Sequence, residues 1–212
     1  KENLIKNLYQ LFKNVFDFIF AFAFLIFGTP LFIFLILLVK LSSRGPIFFL
    51  QKRIGKNQKP FDCIKFRTMH PEAKDMLENL INNNENLKKE FQETHKLKND
   101  PRITRIGKFL RKTSLDEIPQ FINVLKFEMS IVGPRPIVDK EIEKYGDSLS
   151  KVLSVRPGIT GLWQVSGRNN LSYKRRVTLD CLYVKNQSLL IDLRIIIRTF
   201  GVIFFPNDRG AY

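Results

Sequence analysis

Cysteine, histidine, tryptophan and acidic residues are all scarce in this chain, and each scarcity removes an explanation. The 212 residues hold 2 cysteines, 2 histidines and 1 tryptophan. Cys63 and Cys181 are too few and too far apart for a disulfide framework, which is compatible with a reducing, cytosolic setting. His70 and His95 have no cysteine or acidic neighbours at zinc spacing, so no structural zinc site is expected. Acids number only 20 against 35 Lys and Arg, a net charge of +15. Such a balance suits nucleic acid, acidic lipid headgroups or phosphorylated substrates. A nucleic-acid module is disfavoured, because neither a recognition helix nor interleaved stacking aromatics is evident. No internal repeat and no long Gly/Ser linker divides the chain, and it reads as one domain with a membrane hairpin.

What is abundant is apolar: 44% hydrophobic residues and 20 Phe. Val15 to Val39 is nearly unbroken, VFDFIFAFAFLIFGTPLFIFLILLV, long enough for a spanning helix. No small-residue cleavage pattern follows, so it is not a cleavable signal peptide. Thr29-Pro30 interrupts it, and proline removes a backbone bond and bends a helix. Each half then reaches about 18 Å, short of a ~30 Å hydrocarbon core. Lys6 and Lys13 precede the segment, and Lys40, Arg44, Lys52 and Arg53 follow it. Basic residues mark the cytoplasmic side, so both flanks on one side favour a re-entrant helix–break–helix over a kinked span or a buried core helix.

Beyond the segment, Pro46–Gln51 and Phe61–Arg67 read as strands of a hairpin turned at Gly55-Lys56-Asn57. That hairpin would gather Lys52, Arg53, Lys65 and Arg67, a cationic set suited to phosphate, although a solvated basic face has the same composition. Residues 71–98 are charged and Asn-rich and read as one or two exposed helices without chemistry. Ile103, Ile106, Phe109 and Leu110 form a helical stripe. It leads into Arg111-Lys112-Thr113-Ser114-Leu115-Asp116-Glu117-Ile118-Pro119-Gln120. Ser114 with Glu117 has capping-box spacing, while Asp116 as N-cap would place Pro119 in the first turn. In either register Asp116 and Glu117 lie at a helix N-terminus, which favours ionised carboxylates. Neighbouring helical residues point about 100° apart, so the pair suits two jobs: one acid can attack while the other holds a divalent cation. The same residues also describe a capped helix whose acids balance Arg111 and Lys112.

Met129–Val132 reads as a short buried strand. In Gly133-Pro134-Arg135-Pro136 the prolines limit the entropy lost when Arg135 engages an anion, though an ordinary Pro-rich turn looks alike. Arg156–Gly161 is a second rigid turn, leading into Leu162-Trp163-Gln164-Val165, where Trp163 reads as core. A helix from Tyr173 to about Lys185 carries Asp180, with Arg175 or Arg176 as a plausible pair. The last helix, about Leu189 to Phe205, carries Asp192, Arg194 and Arg198 and is too interrupted by charge to span. It reads as interfacial, its arginines snorkelling to headgroups, with burial in the core as the alternative.

An ordered set of motifs has now accumulated: the proline-broken hairpin, KFRTM at 65–69, DPRITRIGKFLRKTSLDEIPQ at 100–120, GPRP at 133–136, RPGITGLWQVSGRN at 156–169, LDCLYV at 179–184 and the terminal GAY. Together they closely resemble the bacterial sugar transferase family, the monotopic polyprenol-phosphate phosphoglycosyl transferases, over essentially the whole chain. KLKNDPRIT, GLWQVSGR and GAY are similar to the undecaprenyl-phosphate galactose phosphotransferase subgroup, whose members often carry further membrane helices before this part. The resemblance implies an α+β, mostly helical monotopic membrane protein with a few short strands. A membrane hairpin and its flanks would occupy 1–44, and a catalytic domain with an interfacial C-terminal helix 45–212. It also implies a place on the cytoplasmic face of the bacterial inner membrane, with leaflet lipids as partners. The activity implied is transfer of a sugar 1-phosphate, galactose favoured, from a UDP-sugar to undecaprenyl phosphate, releasing UMP and beginning surface glycan synthesis. Asp116 would be the nucleophile, forming an aspartyl-phosphosugar, with Glu117 turned toward Mg²⁺ and Arg111 as the basic residue before the dyad. Lys65, Arg67, Arg135, Arg168 and Asp180 would bind substrate, and Pro30 would bend the re-entrant helix. Thr29 stands where the family often has serine, and its hydroxyl can still return a bond to a freed carbonyl. A homodimer is compatible with the chain, though no residue argues for one. A non-catalytic membrane scaffold is the competing class.

Overall fold

The computed structural model describes residues 2–94, 97–167 and 170–204. Its first element, helix α1 (Glu2–Phe27), begins well before the apolar run, and helix α2 (Thr29–Ser42) follows after a single residue. The break lies where Pro30 was expected to put it. Pro30 cannot donate, and Thr29 Oγ1 takes up the slack by donating to the Leu25 carbonyl at 2.7 Å. Gly28 makes the tight passage sterically feasible, because a Cβ there would stand 2.5 Å from the Phe24 oxygen. Over Asn7–Phe27, α1 is long and apolar enough to cross a membrane by length and composition, consistent with membrane association.

Strands β1 (Phe48–Ile54) and β2 (Pro60–Phe66) form the expected antiparallel hairpin, with β1 shifted two residues along from the sequence reading. Helices α3 (Ala73–Asn83) and α4 (Glu85–Thr94) make up the charged stretch, and α3 has no buried residue. Then come α5 (Arg105–Thr113), a 3₁₀ turn at Leu115–Glu117, and α6 (Gln120–Leu125). Strand β3 (Ser130–Val132) precedes the short helices α7 (Ile142–Tyr145) and α8 (Leu149–Val152). Strand β4 (Gly158–Thr160) then pairs parallel to β3. Helices α9 (Tyr173–Asn186) and α10 (Leu189–Phe204) complete the α+β, mostly helical architecture.

Two apolar cores carry the two N-terminal helices separately. Ala21 of α1 is buried with Phe61, Phe121, Val124, Ile131, Tyr183 and Ile195, and Phe24 stacks on Phe121 at 4.1 Å between ring centroids. Leu35 and Val39 of α2 are buried instead with Phe66 and Leu110. Strand β2 contributes to both, through Phe61 and Cys63 to the first and Phe66 to the second. A third cluster under α7 to α9 contains Ile54, Ile137, Tyr145 and Val177.

Helix α1 also carries a buried polar stripe that the apolar reading passed over. Lys13 bonds Asp192 of α10 at 2.6 Å, and Tyr9 reaches the same carboxylate at 3.0 Å. Asp17 accepts from Ser130 Oγ at 2.7 Å and from the Ile131 amide at 3.3 Å. Tyr9, Lys13 and Asp17 are four apart and so share one face of the helix.

Candidate active site

Residue Ser114 decides how the dyad is presented. Helix α5 runs to Thr113 and ends on Ser114 in the left-handed region, at φ 59°. The chain then winds one 3₁₀ turn, Leu115–Glu117, before Pro119 leads into α6. Neither expected cap forms: Ser114 makes no side-chain capping bond, and Asp116 lies inside the turn rather than at an N-cap. One residue cannot both end α5 in αL and cap the next helix in extended geometry. The acids therefore sit on the short link between two helices.

Both helices are pinned to the hairpin by polar contacts. On the α5 side, Thr104 caps the helix by accepting from the Gly107 amide at 2.9 Å. Gly107 lies flat on the Thr68 carbonyl, where a Cβ would collide with the backbone. Thr68 in turn accepts from Arg111 Nε through its hydroxyl at 2.9 Å, which aims the guanidinium. On the α6 side, Asn123 is fully buried, and its Oδ1 accepts from the Ile64 amide at 3.0 Å. Its Nδ2 donates to the Asp62 carbonyl at 2.8 Å and to Glu128 at 2.6 Å.

The hairpin register then selects which cations face the dyad. Phe49 pairs with Lys65, Gln51 with Cys63 and Arg53 with Phe61, so Arg53, Cys63 and Lys65 share one face. Lys65 Nζ donates to Glu117 Oε1 at 2.6 Å. Arg53 donates to the Pro136 carbonyl at 2.9 Å, joining the hairpin to the 133–136 loop. The other two expected cations go elsewhere. Lys52 is on the opposite face, paired with Asp62 at 2.9 Å and exposed. Arg67 follows the last strand residue and donates to the carbonyl of Ser43 at 2.7 Å and to its hydroxyl at 3.0 Å. It ties the end of α2 to the hairpin and is not brought to the dyad.

Arg135 arrives from the loop after β3. Its side chain is exposed, with the guanidinium 5.8 Å from the ring of buried Trp163. Asp180 is buried beneath this loop, taking the Tyr145 hydroxyl at 3.3 Å and the Arg135 backbone amide rather than Arg175 or Arg176. It supports the loop from behind. Arg168 and Asn169 lie outside the described residues, as does the terminal GAY.

Arg53, Lys65, Glu117, Gln120, Arg135 and Gln164 line one cleft. Asp116 is the adjoining residue on the turn and is not itself on the wall. The electrostatics divide the two acids. Burial pushes Glu117 up, but Lys65, with Arg135 and Arg53 behind it, outweighs that and holds the carboxyl below its ordinary value. Burial and the neighbouring Glu117 charge push Asp116 up to about 6, against the pull of Lys65 and Arg111. The dyad thus pairs an acid held below its ordinary value with one pushed up to about 6. The sequence marks Arg53 only as one of the hairpin's four cations, and the structure puts it on the cleft wall with Lys65; Gln164 was not anticipated, and nothing local marks it.

Among the described residues no cluster of three or more His, Cys, Asp or Glu side chains could hold a metal. Mg²⁺ takes one or two carboxylates and completes its octahedron with water and substrate phosphate, so the Asp116–Glu117 pair fits that donor set.

An ionised carboxylate pair set among Lys65, Arg111 and Arg135, on a body carrying an apolar N-terminal helix, describes a membrane-associated site for anionic substrates. The sequence model of the family described as "Bacterial sugar transferase" matches residues 8–206, and the chain belongs to that family. It is 45% identical over 200 residues to the exopolysaccharide production protein ExoY of Rhizobium meliloti, covering 94% of this chain and 88% of that one. It is 45% identical over 212 residues to the undecaprenyl-phosphate galactose phosphotransferase of Salmonella typhimurium, covering 100% of this chain and 44% of the other. The UDP-glucose:undecaprenyl-phosphate glucose-1-phosphate transferase of Klebsiella pneumoniae is 37% identical over 216 residues, covering 98% and 43%. The chain therefore spans less than half the length of several curated relatives that it matches.

Proposed function

We propose that this chain transfers a sugar 1-phosphate from a UDP-sugar, galactose favoured, to undecaprenyl phosphate, beginning assembly of a surface glycan. The observation that carries the reading is the dyad itself: Asp116, with Arg111 and Lys65 drawing on it electrostatically, stands beside a Glu117 held ionised by a 2.6 Å bond to Lys65. A carboxylate oxygen of Asp116 attacks the phosphorus that bears the sugar, the bond from that phosphorus to the UMP oxygen breaks, and UMP leaves. An oxygen of undecaprenyl phosphate then attacks the same phosphorus and the aspartyl oxygen departs, regenerating the carboxylate. Two displacements let one small site handle a soluble donor and then a lipid acceptor. Both bring anions together, and Lys65, Arg53, Arg111 and Arg135 offset that repulsion. Glu117 and Asp116 would hold Mg²⁺, which would supply further charge neutralisation at the phosphates.

The chain acts from the cytoplasmic face of the inner membrane, with α1 and α2 re-entrant. Two contacts support this. Asp17, at the start of the apolar run within α1, meets Ser130, and Ser43 just beyond α2 meets Arg67, so both limbs contact one body. Phe16, Ile19, Phe22, Phe27, Leu31, Phe34 and Leu37 on the two limbs are exposed, a surface that lipid covers. Helix α10 lies at the interface: Asp192, Ile195 and Ile196 are buried while Leu190, Leu193, Ile197 and Phe200 are exposed beside Arg194 and Arg198. A panel of UDP-sugars with undecaprenyl phosphate and Mg²⁺, read by UMP release and intact-mass detection of the adduct, tests the activity. Asp116→Asn abolishes both signals with the fold retained; UMP release by that variant at the wild-type rate refutes the reading.

A further inference from the structure

Two polar atoms on the wall of the cleft lack partners among the described residues, and one of them is an acceptor. The side chain of Gln164 is fixed from one end: its Nε2 donates to the Ile159 carbonyl at 3.0 Å. The opposite end, Oε1, is buried and accepts nothing. The other atom is Arg53 Nε, on a guanidinium already committed to Pro136 and Gln51. A buried amide oxygen without a donor is destabilising by itself, so such an atom on a residue that lines the cleft marks the place of a missing donor. The strut from Nε2 also fixes which way the amide faces, since a flipped amide would set two acceptor oxygens against each other.

The chemistry of the missing group follows from its surroundings. Lys65, Arg53 and Arg135 on the same cleft attract phosphate, whereas a carbonyl oxygen repels it. The anionic part of a ligand therefore settles on the cations, and a neutral donor of the same ligand reaches Gln164. Oε1 packs closely on Gly161, where a Cβ would lie 2.8 Å from it, so only glycine there leaves the amide oxygen its place. Lys126 and Lys52 do not line this cleft.

We propose that Gln164 Oε1 accepts a hydrogen bond from a hydroxyl of the sugar nucleotide, and so is a specificity-determining residue of the donor site. The proposal rests on the sugar-phosphate transfer reading above. A hydroxyl of the transferred sugar and a hydroxyl of the ribose present the same chemistry, and the experiment separates them. A site built to take a hydroxyl discriminates against an analogue lacking it more strongly than an apolar wall does, because the protein acceptor is then left unpaired.

The test is a cycle between protein and substrate. Wild type and Gln164→Met are assayed in nanodiscs by UMP release with UDP-galactose, with its singly deoxygenated forms at each sugar hydroxyl, and with the analogue lacking the ribose 2′ hydroxyl. Gln164→Met also loses the bond to Ile159, but that loss falls equally on every donor and cancels in the cycle. The expected result is that one deoxygenation lowers kcat/KM of wild type by roughly 3- to 10-fold and leaves that of Gln164→Met unchanged. A sugar position assigns the bond to the transferred sugar, and the ribose position assigns it to the nucleoside. If every deoxygenation lowers both proteins by the same factor, Gln164 contacts no hydroxyl and the proposal is overturned. If wild type releases no UMP from any UDP-sugar, it is the transfer reading that fails.

Discussion

The value near 6 for Asp116 gives the nucleophile a signature that an ordinary aspartate lacks. Burial and Glu117 raise it, so under the transfer reading proposed above the carboxyl is neutral and inert at low pH and gains its nucleophilic form as pH rises through about 6. A single titration at that value leaves about 90% ionised at pH 7 and only about 9% at pH 5. The rate of adduct formation should therefore fall about tenfold between those two pH values. With an unperturbed aspartate it would scarcely change. The assay is single-turnover, rapid-quench intact mass with UDP-sugar and no lipid acceptor, which removes titration of the acceptor phosphate from the profile. The donor's diphosphate diester stays ionised throughout this range. Lys65 is the first of the cations holding Asp116 down, so Lys65→Met should move the limb upward by about one unit, the low end for loss of a nearby opposite charge. The limb would then centre near pH 7. A limb below about pH 4.5 in wild type, or one that Lys65→Met leaves in place or moves downward, refutes the electrostatic assignment.

Three further outcomes follow from the geometry. Asn123→Ala strips the partners of the Ile64 amide and the Asp62 carbonyl at the edge of β2, which should destabilise the protein by about 2–4 kcal/mol in chemical denaturation and reduce turnover, because α6 anchors one end of the turn that carries the dyad. Arg67→Met should lower the melting temperature, through loss of the two bonds to Ser43, while KM for the donor changes less than about twofold; a large rise in KM with stability intact would return Arg67 to the substrate site. Asp180 is pushed by burial up to about 8, above its value in the unfolded chain, so the folded form holds its proton more tightly and stability falls as pH rises from about 4 toward 8. Asp180→Asn, which keeps an acceptor for Tyr145, should flatten that loss, and melting curves at pH 5 and pH 8 measure it.

Local sequence spacing carried the dyad, the Thr29–Pro30 break and the hairpin, because each is decided within a few residues. The return bond from Thr29 to Leu25 is of this kind: a hydroxyl four residues after a carbonyl in the last turn of α1. Failures arose where distant elements compete for the same residue. Alternation alone puts Lys65 and Arg67 on one face, but β2 stops at Phe66, and Arg67 is drawn off by Ser43 at the end of α2. Lys52 was misplaced for want of the register, which the turn between Ile54 and Pro60 sets. Ser114 has the right spacing to cap, yet α5 claims it first. The parallel pairing of β3 with β4 joins segments separated by two short helices, and no short-range pattern encodes it. The stripe of Tyr9, Lys13 and Asp17 was legible in its four-residue spacing but hidden by the apolar average around it.

The helix break and the dyad turn are two consequences of one arrangement. Helix α1 belongs to the core that holds α6, through Phe24 on Phe121, and α2 belongs to the core that holds α5, through Leu35 and Val39 beside Leu110. A continuous helix has one axis and could cover only one of these cores, so the bend at Gly28 to Pro30 is what lets a single segment cover both. The turn Leu115–Glu117 joins α5 to α6, and so lies in the seam between those cores. Apolar contact gives little preference for how a helix rotates about its axis when lipid is the alternative neighbour. For α1 that rotation is fixed by polar pairs instead, Lys13 with Asp192 and Asp17 with Ser130 and Ile131. Each pair is buried, and breaking one leaves an unpaired group in an apolar setting, a stronger penalty than any slide of methyl groups. The position of Asp116 relative to α1 and α2 is thus set through two linkages, one from each helix, that run through the packed body of the protein.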